Sequence, residues 1–477
     1  MNAHADHYPQ TAGALTADKR RWVVLALLGF AQFMLIIDVT VVNVALPSIG
    51  RDLGLDRSGL TWTVTAYTLV FGSLLLLGGR LADTFGRRTM FLTGLGLFTA
   101  SSLASGLAPD GTVLVAARAA QGIGAALLSP AALSIITTTF QGSERARALG
   151  VWAALAGSGA AVGVVLGGLL AAGPGWQWIF FINVPVGIAV GVGVVRLVTA
   201  GAASRGVGSL DIPGVLAAAA TVGLVLFGLI GAGDEGWGSI STLGAISLAV
   251  ATGALFVWLE SVASVPLVRL DMLGRRALSA SLAVFLAASG LLGAAFFLNS
   301  LYLQRLLGLS ALEVGLAFLP VALATIVGAH LASNAIVRVG GRPTALIGLT
   351  LAALGAAYLT RLPAHGDVIA DVLPGFIALA GGIGMTFVSA TTTAFSEVAH
   401  HDAGMASGLV NTSHELGLAL GVAIASTVAA GSLTGSGGVA GFEAAFLALA
   451  TVAVAALPGA VLLPAGRLTT DTPILGH

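Results

Sequence analysis

Cysteine is absent from this chain, which excludes disulfides, thiolate metal sites and cysteine nucleophiles together. Charge is scarce as well. Asp, Glu, Lys and Arg make up 9% of the residues, against about 25% in soluble domains. The 21 basic and 21 acidic side chains balance to zero and gather into no block of either sign, so the charge distribution offers no nucleic-acid surface. There is no Gly-x4-Gly-Lys phosphate loop, so ATP is not the visible energy source. No combination of residues assembles a catalytic set. The chain reads as a non-enzyme, without cofactor or metal. His400-His401-Asp402 comes nearest to a metal cluster and reads instead as a loop capping the helix that follows.

What abounds is apolar. Hydrophobic residues are 57% of the 477, and mean hydropathy is +0.98, as in polytopic membrane proteins. The 66 glycines would suggest disorder in a polar chain, but in apolar segments they let helix backbones approach closely. A spanning helix takes about 20 apolar residues, and by that measure fourteen segments lie between residues 22 and 464. The first, Trp22–Pro47, follows Lys19-Arg20-Arg21 and is too long for the apolar core of a signal peptide. With the N-terminus in the cytoplasm, fourteen crossings leave most of the basic residues in inner loops. One helix more or fewer would destroy that bias, so both termini are expected to be cytoplasmic.

The chain also repeats itself. Leu53-Gly54-Leu55 recurs as Leu307-Gly308-Leu309, and Gly86-Arg87 as Gly341-Arg342. Gly122-Ile123-Gly124 recurs as Gly382-Ile383-Gly384, and Gly159/Gly163 as Gly417/Gly421, all at offsets of 254 to 260 residues. The expected architecture is an all-α polytopic membrane protein in five parts. A tail (1–21) precedes an N-terminal six-helix half (22–200). An inserted helix pair with its connectors (201–277) separates this from a C-terminal six-helix half (278–464), and a second tail (465–477) follows. The two halves are expected to be pseudo-symmetric, with the substrate path between them near the midplane. Trp176, Trp178 and Trp237 fall near outer helix ends, where indoles anchor; Glu260, Glu397 and Glu443 are read as reaching the interface.

Within this apolar background a few polar residues stand out. The first segment holds Asp38, Thr40 and Asn43. Placing such groups in hydrocarbon costs a few kcal/mol each, so they are expected to face a polar cavity and work there. Arg118, in the fourth segment, stays charged in nearly any setting and needs a carboxylate, carbonyls or water. The thirteenth segment carries Asn411, His414 and Glu415. His414 and Glu415 are candidates for proton exchange, the alternative being that Glu415 pairs with a polar neighbour and His414 faces a wet rim.

Several stretches resemble a known family. Gly79-Arg80-Leu81-Ala82-Asp83-Thr84-Phe85-Gly86-Arg87-Arg88 is similar to the signature loop G-x-L-a-D-r-x-G-r-k of the major facilitator superfamily. Arg118-Ala119-Ala120-Gln121-Gly122-Ile123-Gly124 resembles its R-x-x-q-G-x-g motif. Gly150, Gly159, Gly163, Gly167 and Gly168 resemble its antiporter motif, with Val164 where the family has Pro. Three further stretches are similar to the fourteen-helix drug:proton antiporter subfamily: Asp38 to Pro47, Trp176 to Gly187, and Ala406 to Gly417. In the last, His414 and Glu415 replace the more usual Arg and Gln, and Gln177 also replaces an Arg.

That resemblance implies a proton-coupled efflux antiporter that exports small lipophilic, drug- or antibiotic-like compounds by alternating access. Coupling and the substrate cavity would rest on Asp38 first and Glu415 second, with Arg118, Asn43, Asn411 and His414. The loop of Gly79, Asp83, Gly86, Arg87 and Arg88 would be a cytoplasmic gate. The implied partners are protons, a lipophilic small molecule and the bilayer, with no nucleic acid and the protein a monomer. The alanine-, glycine- and valine-heavy, lysine-poor composition points to a bacterial inner membrane. Two alternatives stay open: an uptake symporter on the same fold, which Val164 keeps open, and a non-transporting membrane sensor or scaffold.

Overall fold

The computed structural model describes residues 11–55, 57–173, 175–199, 211–263, 266, 268, 270–430 and 438–464. Both tail ends (1–10 and 465–477) and most of the connector to the inserted pair (201–210) lie outside them. Among the described residues there is no strand. The helices are α1 (Thr11–Leu53), α2 (Arg57–Phe85), α3 (Arg87–Gly106), α4 (Gly111–Thr139), α5 (Gly142–Ala172), α6 (Trp178–Phe181), α7 (Asn183–Leu197) and α8 (Ile212–Asp234). They continue as α9 (Ile240–Val262), α10 (Leu270–Leu273), α11 (Arg276–Arg305), α12 (Ala311–Val339), α13 (Gly341–Leu359), α14 (Leu373–Ala394), α15 (Ala403–Val428) and α16 (Ala440–Val461).

Among the described residues eleven stretches, with α6 and α7 counted as one, are long and apolar enough to cross a membrane. Helices α3, α5 and α15 have comparable lengths of 20, 31 and 26 residues and fall outside that set. In α15 the polar run through Asn411, His414 and Glu415 lowers the apolarity. α1 begins at Thr11, so the described part of the stretch read as a tail continues the first helix.

Local chemistry explains the boundaries. Ser310 and Glu313 form a capping box at the start of α12: Ser310 N–H donates to Glu313 at 2.8 Å, and Glu313 N–H donates to Ser310 Oγ at 3.3 Å. Gly86 and Gly340 both sit at φ 94°, each turning the chain into the next helix, a conformation only glycine adopts cheaply. The turning residue before α13 is therefore Gly340, not the Gly341 that the sequence repeat suggested. The apolar stretch Trp178–Leu197 is divided at Ile182 into α6 and α7. Pro185 lacks the N–H that would bond Phe181, and Ser102 Oγ donates to Phe180 O at 2.9 Å beside the break.

Two large apolar cores form. One is built wholly from α11 to α16 and the loops among them. The other is built mainly from α1 to α8, with Ala394, Phe395, Met405, Ala406 and Val410 reaching in from α14 and α15. Helices α5 with α12, and α2 with α15, pack between them. Contact depends on glycine: Gly124 lies against Gly94 and Phe98, and Gly382 against Gly348 and Ala352, the small-residue packing that holds helices together in lipid. α8 packs on α9 and also on α2 and α15. α9 presents Ile240, Leu248, Val250, Val257 and Trp258 outward, a face suited to lipid. Two residues expected at the interface are buried instead. Trp176 donates its indole N–H to Asp52 at 2.9 Å, and Glu260 accepts from Val268 N–H at 3.0 Å.

Candidate functional site

Asp38 sits in mid-α1 and is 1% exposed. Its Oδ2 receives Arg118 Nη1 of α4 in a fully buried ion pair. Its Oδ1 accepts from Gln121 Nε2 and Asn183 Nδ2, both at 2.9 Å. Gln121 is one turn from Arg118 on the same face and takes a second bond from it at 2.9 Å. Asn183 opens α7 at the Ile182 break and also donates to Ser102 at 3.0 Å. Arg118 Nε donates to Thr63 O at 3.2 Å, and its guanidinium lies 4.4 Å from the Tyr67 ring centre and 5.8 Å from that of Phe180. A buried pair survives only when further hydrogen bonds support it, and here Arg118 Nε and Nη1 and both Asp38 oxygens are engaged. The expectation that Asp38 and Arg118 line an open cavity is not met in this conformation. Both are enclosed by α1, α2, α4, α6 and α7. The side chain of Asn43 lies outside the described residues.

Helix α15 distributes its polar residues over different faces, because neighbours in sequence point about 100° apart on a helix. Asn411 accepts from Ser129 of α4 at 3.3 Å and donates to Ser407 O at 2.9 Å. His414 turns toward α11 and α14. Its Nδ1 is 2.8 Å from Ser289 Oγ, and its ring meets Phe285 and Phe387 edge-on, 5.8 and 5.7 Å between centres. Glu415 turns the other way, to α2, where Gly72 leaves room for it and Leu226 of α8 closes the same spot. Glu415 is partly buried and has no hydrogen bond or ion pair among the described residues. His414 and Glu415, adjacent in sequence, are thus separate sites.

At the end of the bundle where α2 meets α3, Asp83 is buried and accepts from the backbone N–H groups of Gly404 and Met405, both at 2.9 Å. Those are first-turn donors of α15, with no partner inside their own helix and a positive dipole end. Gly79 lies directly on Gly404 and Gly408. Arg87 is 3.8 Å from Asp83 and donates to Thr138 at 3.2 Å. Arg88 donates to Val195 O at 2.8 Å, and Arg145 bridges to Phe395 O at 3.0 Å. This end of the molecule is fastened shut.

The glycine face of α5 divides its contacts. Gly150 meets Ala329 and Ser333 of α12, while Gly159 meets Ile36 and Gly163 meets Thr40, on either side of Asp38 in α1. Gly167 is buried; the side positions of Val164 and Gly168 lie outside the described residues. Gly163→Val should force α1 away from α5 and disturb the Asp38 cluster. Overpacking of this kind costs about 1–3 kcal/mol, so purified protein should melt at a lower temperature than Gly163→Ala, which should fall between Val and wild type. Equal melting of all three would show that the contact is not tight.

Sequence reasoning did not assign roles to Gln121, Asn183, Ser102 or Tyr67. Gln121 and Asn183 lie inside the quoted motifs, which was the available signal.

The sequence profile of the Major Facilitator Superfamily matches residues 28–422. The chain is 39% identical to a puromycin resistance protein of Streptomyces alboniger, over 89% of this chain and 84% of that one. It is 36% identical to a lincomycin resistance protein of Streptomyces lincolnensis, over 87% and 86%. It is also 36% identical to a cephamycin export protein of Amycolatopsis lactamdurans, over 85% and 84%. Its fold is similar to the human organic anion transporter MFSD10, with a TM-score of 0.66 at 16% identity, covering 92% of this chain and 99% of that one. The proton:xylose symporter XylE gives 0.65 at 15% identity, over 92% and 95%.

Proposed function

The chain belongs to the Major Facilitator Superfamily, and from that premise we propose that it exports a small lipophilic, antibiotic-like compound in exchange for protons. The relatives named for antibiotic resistance or export support the direction and the class of cargo. One observation carries the coupling: Glu415 is a carboxylate without a partner among the described residues, in the seam where α15 meets α2. Asp38, by contrast, is neutralised by Arg118 and fully hydrogen-bonded. An unpartnered carboxylate inside a membrane is costly unless its charge is used. We therefore place coupling first at Glu415, with the Asp38–Arg118 pair holding the helices around it.

In this reading α3, α5 and α15 join the eleven apolar stretches to make fourteen crossings. The halves 22–200 and 278–464 rock about the α2–α15 and α5–α12 seams, and the inserted pair rides beside them. Both termini face the cytoplasm of a bacterial cell, so the Asp83 latch closes the inner side and the present conformation is the outward-facing one. Protonation of Glu415 from outside and deprotonation inside bias the two states, because a ligand or proton shifts an equilibrium only through its differential affinity for them. The protein works as a monomer. An uptake symporter is the second reading, kept open by Val164 in place of the antiporter-motif proline.

Everted membrane vesicles from an efflux-deficient host, given labelled puromycin or lincomycin under an imposed pH gradient, separate these. Export predicts accumulation in the vesicles, and symport predicts none. Glu415→Gln should abolish the response to the gradient. A variant that still accumulates drug with the same gradient dependence would move coupling away from Glu415.

A further inference from the structure

Tyr67 stands at the boundary between the two carboxylates and is used by neither. It is 1% exposed in mid-α2. Its backbone is pressed by Gly122 of α4, its ring stacks on Phe71 with centres 5.7 Å apart, and the same ring lies under the Arg118 guanidinium. The hydroxyl has no hydrogen-bond partner among the described residues. A buried hydroxyl without a partner is destabilising, and native proteins keep few of them without a reason. Among the described residues, the charged groups near Tyr67 are Asp38 of α1, Arg118 of α4 and Glu415 of α15. α8, which packs beside them, carries no charge before Asp234.

We propose that Tyr67 is a positioning residue for proton coupling: its ring holds Arg118 onto Asp38, and its hydroxyl is the donor that Glu415 takes up when the α2–α15 seam rearranges. This rests on the export reading above. The tyrosine keeps its proton throughout; its hydroxyl, without a partner here, gains the carboxylate as acceptor. The seam has little side-chain bulk at two points, where Gly72 lies beside Glu415 and Gly79 lies against Gly404 and Gly408, and small residues at a helix contact leave room for the helices to shift. The device links the state of Glu415 to the buried pair: an ionised Glu415 draws the hydroxyl, and the ring that carries Arg118 moves with it.

The test uses Tyr67→Phe, which keeps ring, volume and cation–π contact, beside Tyr67→Leu, which removes the ring as well. Labelled puromycin is followed in everted vesicles, both as uphill accumulation driven by a pH gradient and as exchange without one. A hydrogen bond to a charged group is worth enough to change an equilibrium about ten- to a hundredfold. Uphill accumulation by Tyr67→Phe should drop on that scale, by much more than exchange does, and its pH profile should be displaced. Tyr67→Leu should in addition lower the melting temperature. Wild-type accumulation and pH profile in Tyr67→Phe overturn the proposal. So does an equal loss of exchange and accumulation, which assigns the hydroxyl to folding or binding. If wild-type vesicles fail to accumulate puromycin, that arm alone defeats the export reading, and the role of Tyr67 with it.

Discussion

Asp38→Asn should abolish the proposed export and destabilise the purified protein, because it strands Arg118 in a site built for a charge pair. Arg118 is fully buried and bonded to Asp38, Gln121 and Thr63 O. A guanidinium does not shed its proton to escape. Removing one partner of a buried pair costs about 3–5 kcal/mol, whereas replacing both with apolar residues is often neutral. A double variant, Asp38→Leu with Arg118→Leu, should therefore recover much of the melting temperature lost by Asp38→Asn. It should not recover transport if the pair must open and close in the cycle. The two outcomes separate a structural cost from a functional one. A melting temperature for Asp38→Asn equal to wild type would mean that the pair contributes nothing to holding α1 on α4.

The partnership behind that prediction was only half legible in the sequence. Asp38 and Arg118 each stood out as a charge among apolar residues, but no local pattern shows that two helices 80 residues apart bring them together. Asn183 was visible as a motif residue. Its role depends on Asp38 and Ser102, partners that other helices bring to its amide. His414 and Glu415 looked like one proton site because they adjoin in sequence. The geometry of a helix separates them, sending one to Ser289 and the other to Gly72.

Glycine patterns revealed the close contacts but misplaced their register. Gly124 packs on α3 and Gly382 on α13, at an offset of 258 residues, so the like-positioned contact is two residues from the one that string matching chose. Helix existence and the signature loop were readable because both rest on short-range chemistry. Burial of Trp176 and Glu260 was not, since each depends on a partner from another element.

The signature loop carries the second large effect. Asp83→Ala should release the end of the bundle that is now fastened. Asp83 reaches across from α2 to two backbone donors at the start of α15. Hydrogen bonds to a charged group contribute about 1.5–3 kcal/mol each, so losing both should change the ratio of closed to open forms by on the order of a hundredfold or more. Asp83→Asn retains one acceptor oxygen without the charge and should fall between. Because the chain has no cysteine, two can be introduced without background at Gln141 and Glu397, both exposed near this end. Spin labels there report the separation of the α4–α5 and α14–α15 loops by pulsed electron resonance. Wild type should give a short, narrow distance distribution. Asp83→Ala should give a longer and broader one, with Asp83→Asn showing both populations. Arg145 bridges the same two loops through Phe395 O and is untouched by these changes. If the distribution in Asp83→Ala stayed narrow and short, Arg145 and the glycine contacts would be holding the closure, and Asp83 would be a helix cap without a part in gating.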